Sequence, residues 1–155
     1  MIISVLKGAV IFLTDLIRNI DLKLSIDFMG ISTYGFNKPE TGVVKITKDL
    51  DEDIEGKHVL IVEDIIDTGL TVSYLMRNLY LREPAGIEIC TLIDRSVRRI
   101  ADINIKYCAF TIGEKFLVGY GLDYKQKFRN LDCIYELNID AVKKDIESIK
   151  SVISR

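Results

Sequence analysis

Short, unbroken apolar runs recur along the chain and are separated by polar turns. Such runs are typical of strands that are buried on both faces of a parallel sheet. The runs predict strands at residues 2–6, 24–34, 43–47, 59–62, 87–93, 103–112 and 133–137.

Between these runs, apolar residues recur at steps of three and four, which is the spacing of an amphipathic helix. The spacing predicts helices at residues 9–20, 71–82 and about 139–154. Because strands and helices alternate, we expect an α/β fold with a mostly parallel sheet flanked by helices, in a single domain over residues 1–155. The last helix has a narrow apolar stripe, and packing on its own domain or contact with another subunit would each explain it.

Residues 59–71 read Val-Leu-Ile-Val-Glu-Asp-Ile-Ile-Asp-Thr-Gly-Leu-Thr and carry the most informative polar groups. The predicted strand stops at two adjacent carboxylates, Glu63 and Asp64, and open α/β sheets bind their ligands at this end of a strand. Carboxylate oxygens there suit hydroxyl groups or Mg²⁺. A plainer alternative is that these carboxylates and Asp67 only cap a helix and solvate a loop.

The loop that follows predicts an anion site. Backbone N–H groups of a tight loop and of a helix N-terminus together attract phosphate. Thr68 and Thr71 add hydroxyl donors, and Gly69 permits a backbone angle that other residues resist.

Charge and hydropathy exclude two classes of function. The net charge of −2 argues against a general nucleic-acid surface. No apolar run approaches the ~20 residues of a membrane span, so we expect a cytoplasmic protein without a membrane anchor.

The cysteines and the one histidine carry no predicted chemistry. Cys90, Cys108 and Cys133 are odd in number, far apart and placed in apolar stretches, so we expect buried, free thiols. His58 precedes a strand and is interpreted as structural, which excludes a histidine-based nucleophile triad.

The string at residues 59–71 resembles the phosphoribosyl pyrophosphate (PRPP) motif of type I phosphoribosyltransferases. Residues 5–9, 27–29, 118–124 and 128–131 also resemble bacterial hypoxanthine-guanine phosphoribosyltransferases, and the likeness covers residues 2–137. It implies a purine salvage enzyme that uses Mg²⁺ and whose partners are PRPP, hypoxanthine or guanine, pyrophosphate, and IMP or GMP. It also implies a homo-oligomer.

The resemblance assigns roles on the PRPP side of the site. Asp67 would face the purine N7 as the general base, and its backbone would join the phosphate loop. The other PRPP-binding residues would be Lys7, Gly8 and Arg129 for pyrophosphate, Glu63 and Asp64 for the ribose hydroxyls and Mg²⁺, and Thr68, Gly69 and Thr71 for the 5′-phosphate.

On the purine side, the resemblance implies that Phe116 stacks on the base and that Leu117 contacts its edge through backbone groups. Asp123 would bind a second Mg²⁺. Where the family places a lysine that reads the purine O6, this chain has Arg95. Arginine keeps the charge on a larger, planar group, so Arg95 would donate to O6, crowd the pocket or lie at the surface.

Two further departures affect the expected lid and hood over the base. Thr33 and Tyr34 stand where the family usually has Ser-Tyr, at the start of a flexible catalytic loop that here spans residues 35–42. In relatives a further helical segment precedes the first strand, which here begins at residue 2. Either the true start lies upstream or the protein is shortened, and a shortened protein would have a reduced hood.

Two other functions remain open from the sequence. One is a phosphoribosyltransferase for xanthine or another base, which Arg95 leaves possible. The other is a PRPP-binding regulator with little activity, against which the retained Lys7, Asp67 and Asp123 argue.

Overall fold

The computed structural model describes residues 1–34 and 43–142. Its helices and strands follow the predicted alternation. In chain order they are β1 (Ile2–Leu6), α1 (Val10–Arg18), β2 (Ile26–Tyr34), β3 (Val43–Lys48), β4 (His58–Ile66), α2 (Leu70–Tyr80), β5 (Gly86–Asp94), a 3-10 turn (Ser96–Arg98), β6 (Tyr107–Thr111), β7 (Leu117–Val118) and β8 (Tyr135–Glu136).

Six strands form one sheet in the order β3-β2-β1-β4-β5-β6. β3 runs antiparallel to β2, whereas the other four pairs of neighbouring strands are parallel. β7 and β8 form a separate antiparallel pair. The mostly parallel sheet confirms the predicted fold class.

The core lies on both faces of this sheet. Ile3 of β1 packs in one apolar cluster with Leu75 of α2, and its neighbour Ile2 packs in another with Leu13 of α1. Successive side chains of a strand point to opposite faces, so the two helices cover opposite sides of the sheet, as predicted. No described helix is both long and apolar enough to cross a membrane.

The prediction for the fourth strand was too short. β4 continues past the acidic pair to Ile66, because residues 63–66 pair in register with β5 from Thr91 to Asp94. Backbone pairing does not require apolar side chains, so Glu63 and Asp64 lie on the strand rather than after it.

The later elements are shorter than predicted. The strand expected at 103–112 is β6, and that expected at 133–137 is the two-residue β8. Residues 139–142 are helical, while the remainder of the predicted C-terminal helix and the loop at 35–42 lie outside the described residues.

The prediction of free thiols was correct, whereas the prediction that all three cysteines are buried was partly wrong. All three thiols are free, but only Cys90 is buried, whereas Cys108 and Cys133 are exposed. Cys108 lies on β6, an edge strand with all five residues exposed. An apolar run on an edge strand is not covered on both faces, which the run alone does not reveal.

A buried carboxylate ties the β3–β4 connection to β2. Asp27 is 4% exposed and accepts backbone hydrogen bonds from Phe28 at 2.7 Å, Asp51 at 2.8 Å and Glu52 at 3.2 Å. Lys48 Nζ lies 3.5 Å from Asp27 Oδ1. Burial raises the pKa of Asp27, but the three amides and Lys48 outweigh it and hold the pKa below its ordinary value of 3.8.

Asp27→Asn should therefore destabilise the fold by about 1–3 kcal/mol at neutral pH, because it removes the charge that three amides and an ammonium group bind. The pKa of Asp27 is lowered in the folded state. The stability that ionised Asp27 adds to the fold is thus present above the ordinary pKa, and it is lost as the pH falls through the folded-state pKa. Urea unfolding at neutral pH and below about pH 4 measures both effects.

Asp21→Asn, at an exposed carboxylate, is the control and should leave the unfolding free energy nearly unchanged. Equal stabilities for the two variants at neutral pH would contradict this account of Asp27.

Candidate active site

Three loops meet at the carboxyl edge of the sheet. Lys7 and Gly8 follow β1, residues 67–69 follow β4, and Arg95 follows β5. Because β1, β4 and β5 are adjacent and parallel, their carboxyl ends lie side by side. Open α/β sheets bind their ligands at this edge.

The acidic pair lies on the last part of β4, with its two side chains on opposite faces. Burial, together with the neighbouring Asp64 carboxylate, raises the pKa of Glu63 well above its ordinary value of 4.5. Burial also raises the pKa of Asp64, although the Ile65 amide and the Arg129 guanidinium oppose the increase. Carboxylates that are costly to ionise alone are suited to a cation or to hydroxyl donors.

The loop after β4 presents donors to an open space. Gly69, with φ of +79°, precedes the first residue of α2. The carbonyl oxygens of residues 66, 67 and 68 accept hydrogen bonds from residues 95–101. The N–H groups of residues 67–69 find no acceptor in the described parts of the chain. This loop and Glu63 line a cavity of about 250 Å³, an arrangement suited to an anion.

Gly8 packs against Asp64 of the acidic pair. A Cβ atom on Gly8 would lie 1.6 Å from Asp64 Oδ2, so no larger residue fits there without displacing the carboxylate. On its other side, the Gly8 carbonyl oxygen lies 2.0 Å from the position that a Cβ on Gly121 would take. The Leu6–Lys7 peptide bond is cis, and Lys7 is exposed.

Two arginines hold the side chain of Asp67. Asp67 Oδ2 lies 3.3 Å from Arg95 Nη1 and 3.2 Å from Arg98 Nη1. Asp67 Oδ1 is buried and has no hydrogen-bond partner among the described residues. Arg95 is 8% exposed and also donates through Nη2 to the Lys115 carbonyl at 2.5 Å, so the alternative of a surface arginine is wrong.

A second cavity of about 160 Å³ adjoins the first. Its lining includes Phe116, Leu117, Arg95 and Asp67. The ring of Phe116 packs edge-to-face with Tyr124 at a centroid distance of 5.6 Å and an angle of 86°. Asp67 lines both cavities.

An ion pair borders the second cavity on the side of Asp64. Arg129 Nη2 lies 2.7 Å from Asp123 Oδ1, and Arg129 Nη1 donates to the Gly121 carbonyl at 2.8 Å. Asp123 Oδ2 also accepts the Gln126 amide at 2.8 Å. Arg129, expected to bind pyrophosphate, and Asp123, expected to bind a second Mg²⁺, are thus paired with each other.

The structure brings most of the expected site residues to one edge of the sheet. Thr33 and Tyr34 lie at the carboxyl end of β2, which runs parallel to β1, and the loop that they were expected to lead lies outside the described residues. His58 begins β4, at the opposite end from the acidic pair, in agreement with a structural role.

Residue assignment from the sequence missed the contacts of Arg98 and Arg99. The run of basic residues after β5 was visible in the sequence and indicated a site at that edge of the sheet. It did not reveal that Arg98 binds the Asp67 carboxylate and that Arg99 binds the Asp67 carbonyl oxygen. Spacing along a chain does not identify partners about thirty positions away.

Comparisons with known proteins agree with this geometry. The profile of the phosphoribosyl transferase domain matches residues 1–125. The hypoxanthine-guanine phosphoribosyltransferase of Mycobacterium avium is 50% identical over 138 residues, which are 89% of this chain and 68% of that protein. The hypoxanthine-guanine-xanthine phosphoribosyltransferase of Tritrichomonas foetus is 47% identical over 135 residues, which are 86% of this chain and 73% of that protein.

A solved structure gives the same result in three dimensions. The hypoxanthine phosphoribosyltransferase of Staphylococcus aureus superposes with a TM-score of 0.86 at 46% identity, covering 90% of this chain and 76% of that one. The likeness in sequence and in fold extends across the strands that carry the candidate site. This chain belongs to the phosphoribosyl transferase domain family.

Proposed function

We propose that this protein transfers the 5-phosphoribosyl group from PRPP to hypoxanthine or guanine, giving IMP or GMP and releasing pyrophosphate. The observation that carries the proposal is the position of Asp67, which lines both the cavity of the phosphate loop and the cavity of Phe116. A carboxylate between a phosphate site and a base site is placed to take a proton while the base is ribosylated.

The proposed reaction uses the two oxygens of Asp67 differently. Arg95 and Arg98 hold Oδ2, while Oδ1 has no partner within the described part of the chain. As the purine N9 attacks C1′ and the C1′–O bond to pyrophosphate breaks, Oδ1 accepts the proton from N7. The ion pairs keep the carboxylate oriented, so little reorganisation is needed in the transition state.

On the PRPP side, the N–H groups of residues 67–69, with the hydroxyls of Thr68 and Thr71, bind the 5′-phosphate. Lys7 and Arg129 supply positive charge to the leaving pyrophosphate, and Gly8 lets the backbone approach it. Support for this arrangement is the close packing of Gly8 on Asp64, because any larger residue would displace the carboxylate that is proposed to hold the ribose hydroxyls and Mg²⁺.

Mg²⁺ is part of the proposal, and the donors present fit it. Glu63 and Asp64 offer carboxylate oxygens, the ligands that Mg²⁺ prefers, and Asp123 offers another near Arg129. The described residues contain no cluster of three metal-binding side chains. This agrees with an ion held by one or two carboxylates and by substrate oxygens. When bound, Mg²⁺ supplies charge that stabilises departing pyrophosphate.

On the base side, Phe116 stacks on the purine, backbone groups of Leu117 contact its edge, and Arg95 donates to O6. The buried Nε of Arg95 has no partner among the described residues, which leaves the guanidinium with donor capacity. The same proposal includes assembly into a homo-oligomer, which sedimentation measures.

The function is tested by assaying hypoxanthine, guanine, xanthine and uracil with PRPP and Mg²⁺. We expect activity with the first two bases, and its absence in the folded protein would contradict the proposal.

Asp67→Asn should lower kcat by ~10²–10⁴-fold, since it removes the general base. PRPP affinity, measured by calorimetry, should fall much less, and equal losses of both would make Asp67 structural instead.

Glu63→Gln should stabilise the ligand-free protein while it weakens Mg²⁺-PRPP binding. The folded-state pKa of Glu63 is raised, so the stability that protonated Glu63 contributes is full below the ordinary pKa of about 4.5. It is lost as the pH rises from there through the folded-state pKa. The substitution removes this loss, so the ligand-free variant should melt at a higher temperature than the wild type at neutral pH. Thermal unfolding at acidic and neutral pH measures it, and a neutral-pH melting temperature below that of the wild type would refute it.

Arg95→Lys should keep activity with hypoxanthine and guanine, because an ammonium group still donates to O6. Arg95→Ala should raise KM for the base by an amount worth roughly 1.5–3 kcal/mol, the range for a hydrogen bond to a charged group. Steady-state kinetics at saturating PRPP measures both variants.

Arg98→Ala is the matched control for Arg95→Ala, since each removes one arginine from Asp67 Oδ2. If Arg95 reads the base, its loss raises KM for the base more than loss of Arg98 does. Equal changes would show that both arginines act only through Asp67.

A further inference from the structure

Residues 95–101, which we call the arginine segment, hold the phosphate loop by its carbonyl oxygens. Three of the bonds come from the backbone of the segment. The Arg95 N–H donates to the Ile66 carbonyl at 3.0 Å, and the N–H groups of Ile100 and Ala101 donate to the Thr68 carbonyl at 2.9 and 3.0 Å.

The carbonyl between these two is held by a side chain. Arg99 Nε donates to the Asp67 carbonyl oxygen at 3.1 Å. The peptide unit that joins Asp67 to Thr68 therefore takes its orientation from Arg99, whereas its neighbours are held by backbone bonds.

This orientation decides where a donor points. In a trans peptide unit the carbonyl and the N–H point in opposite directions. Holding the Asp67 carbonyl on the arginine segment therefore turns the Thr68 N–H away from that segment. The peptide units on either side are held in the same way, so three successive N–H groups are directed together, which is the geometry of an anion-binding loop.

Arg99 is itself fixed in two ways. Its Nη2 forms an ion pair with Asp94 at the end of β5, and both side chains are 19% exposed. Its Cδ lies 3.0 Å from where a Cβ on Gly69 would be, so the guanidinium stem passes directly over the glycine of the loop. A partly buried, paired arginine is a rigid support because its planar group has fixed donor directions.

We propose that Arg99, fixed by Asp94, is the positioning residue for the 5′-phosphate: it sets the Thr68 N–H toward the anion without touching the ligand. The inference rests on the proposed function and adds a residue to it. It predicts that the Asp94–Arg99 pair governs PRPP affinity although neither side chain lines the phosphate cavity.

The test compares Arg99→Lys and Arg99→Met with the wild type. Lysine can keep the ion pair with Asp94 but cannot also donate to the Asp67 carbonyl in the same geometry. We expect both variants to bind PRPP with Mg²⁺ about tenfold or more weakly by calorimetry, the effect of one charge-assisted hydrogen bond. KM for the base should change little, because Arg95 and Phe116 are retained.

A double-mutant cycle provides the second measurement. Asp94→Asn alone should weaken PRPP binding, and should add nothing in the Arg99→Met background, since Asp94 acts through Arg99. Lys106→Met, which breaks the exposed ion pair between Glu88 of β5 and Lys106 just before β6, is the control and should bind PRPP as the wild type does.

Wild-type PRPP affinity in a folded Arg99 variant, or additive effects of the two substitutions, would overturn the inference. A wild-type protein that does not bind PRPP would instead refute the proposed function, so the two failures are distinguishable. Should Arg99→Met fail to fold, Arg99→Lys and Asp94→Asn decide the matter, because both keep side chains of similar size at these positions.

Discussion

The site depends on one asymmetry of the backbone after β4. Carbonyl oxygens of three successive residues are bound within the protein, while the N–H groups of residues 67–69 are directed elsewhere. A trans peptide cannot turn one group without turning the other, so an internal hydrogen-bond network fixes an external binding surface. The location of Asp67, of the two cavities and of the first turn of α2 all follow from the position of this loop.

Hydrophobic patterning was sufficient to predict the six strands of the main sheet, the two helices between them and the edge of the sheet where polar groups collect. It did not predict β7. It failed where pairing, rather than side-chain character, determines the backbone. β4 extends through Glu63 and Asp64 because β5 continues beside them. Cys108 is exposed because β6 is an edge strand, which is a property of the whole sheet and not of its sequence.

The chemistry of single residues was harder to predict than their location. Glu63, Asp64 and Asp67 stand out in the sequence, since three carboxylates around a glycine loop are an unusual group. Arg99 does not stand out, because its partners are the Asp67 carbonyl oxygen and the carboxylate of Asp94, the last residue of β5. Residues that hold a loop in position are identified only from a structure that shows the loop next to the neighbouring strand.

Because Asp67 separates the two cavities, the site is suited to an inhibitor that occupies both of them. Asp67 lines both, so an anionic group in one and a flat aromatic ring in the other would lie on either side of a single carboxylate. A compound that joins these two groups by a short linker would bind its second half as an intramolecular event. Effective concentrations in the millimolar range are typical for such links, so two weak fragments would combine into one tight inhibitor.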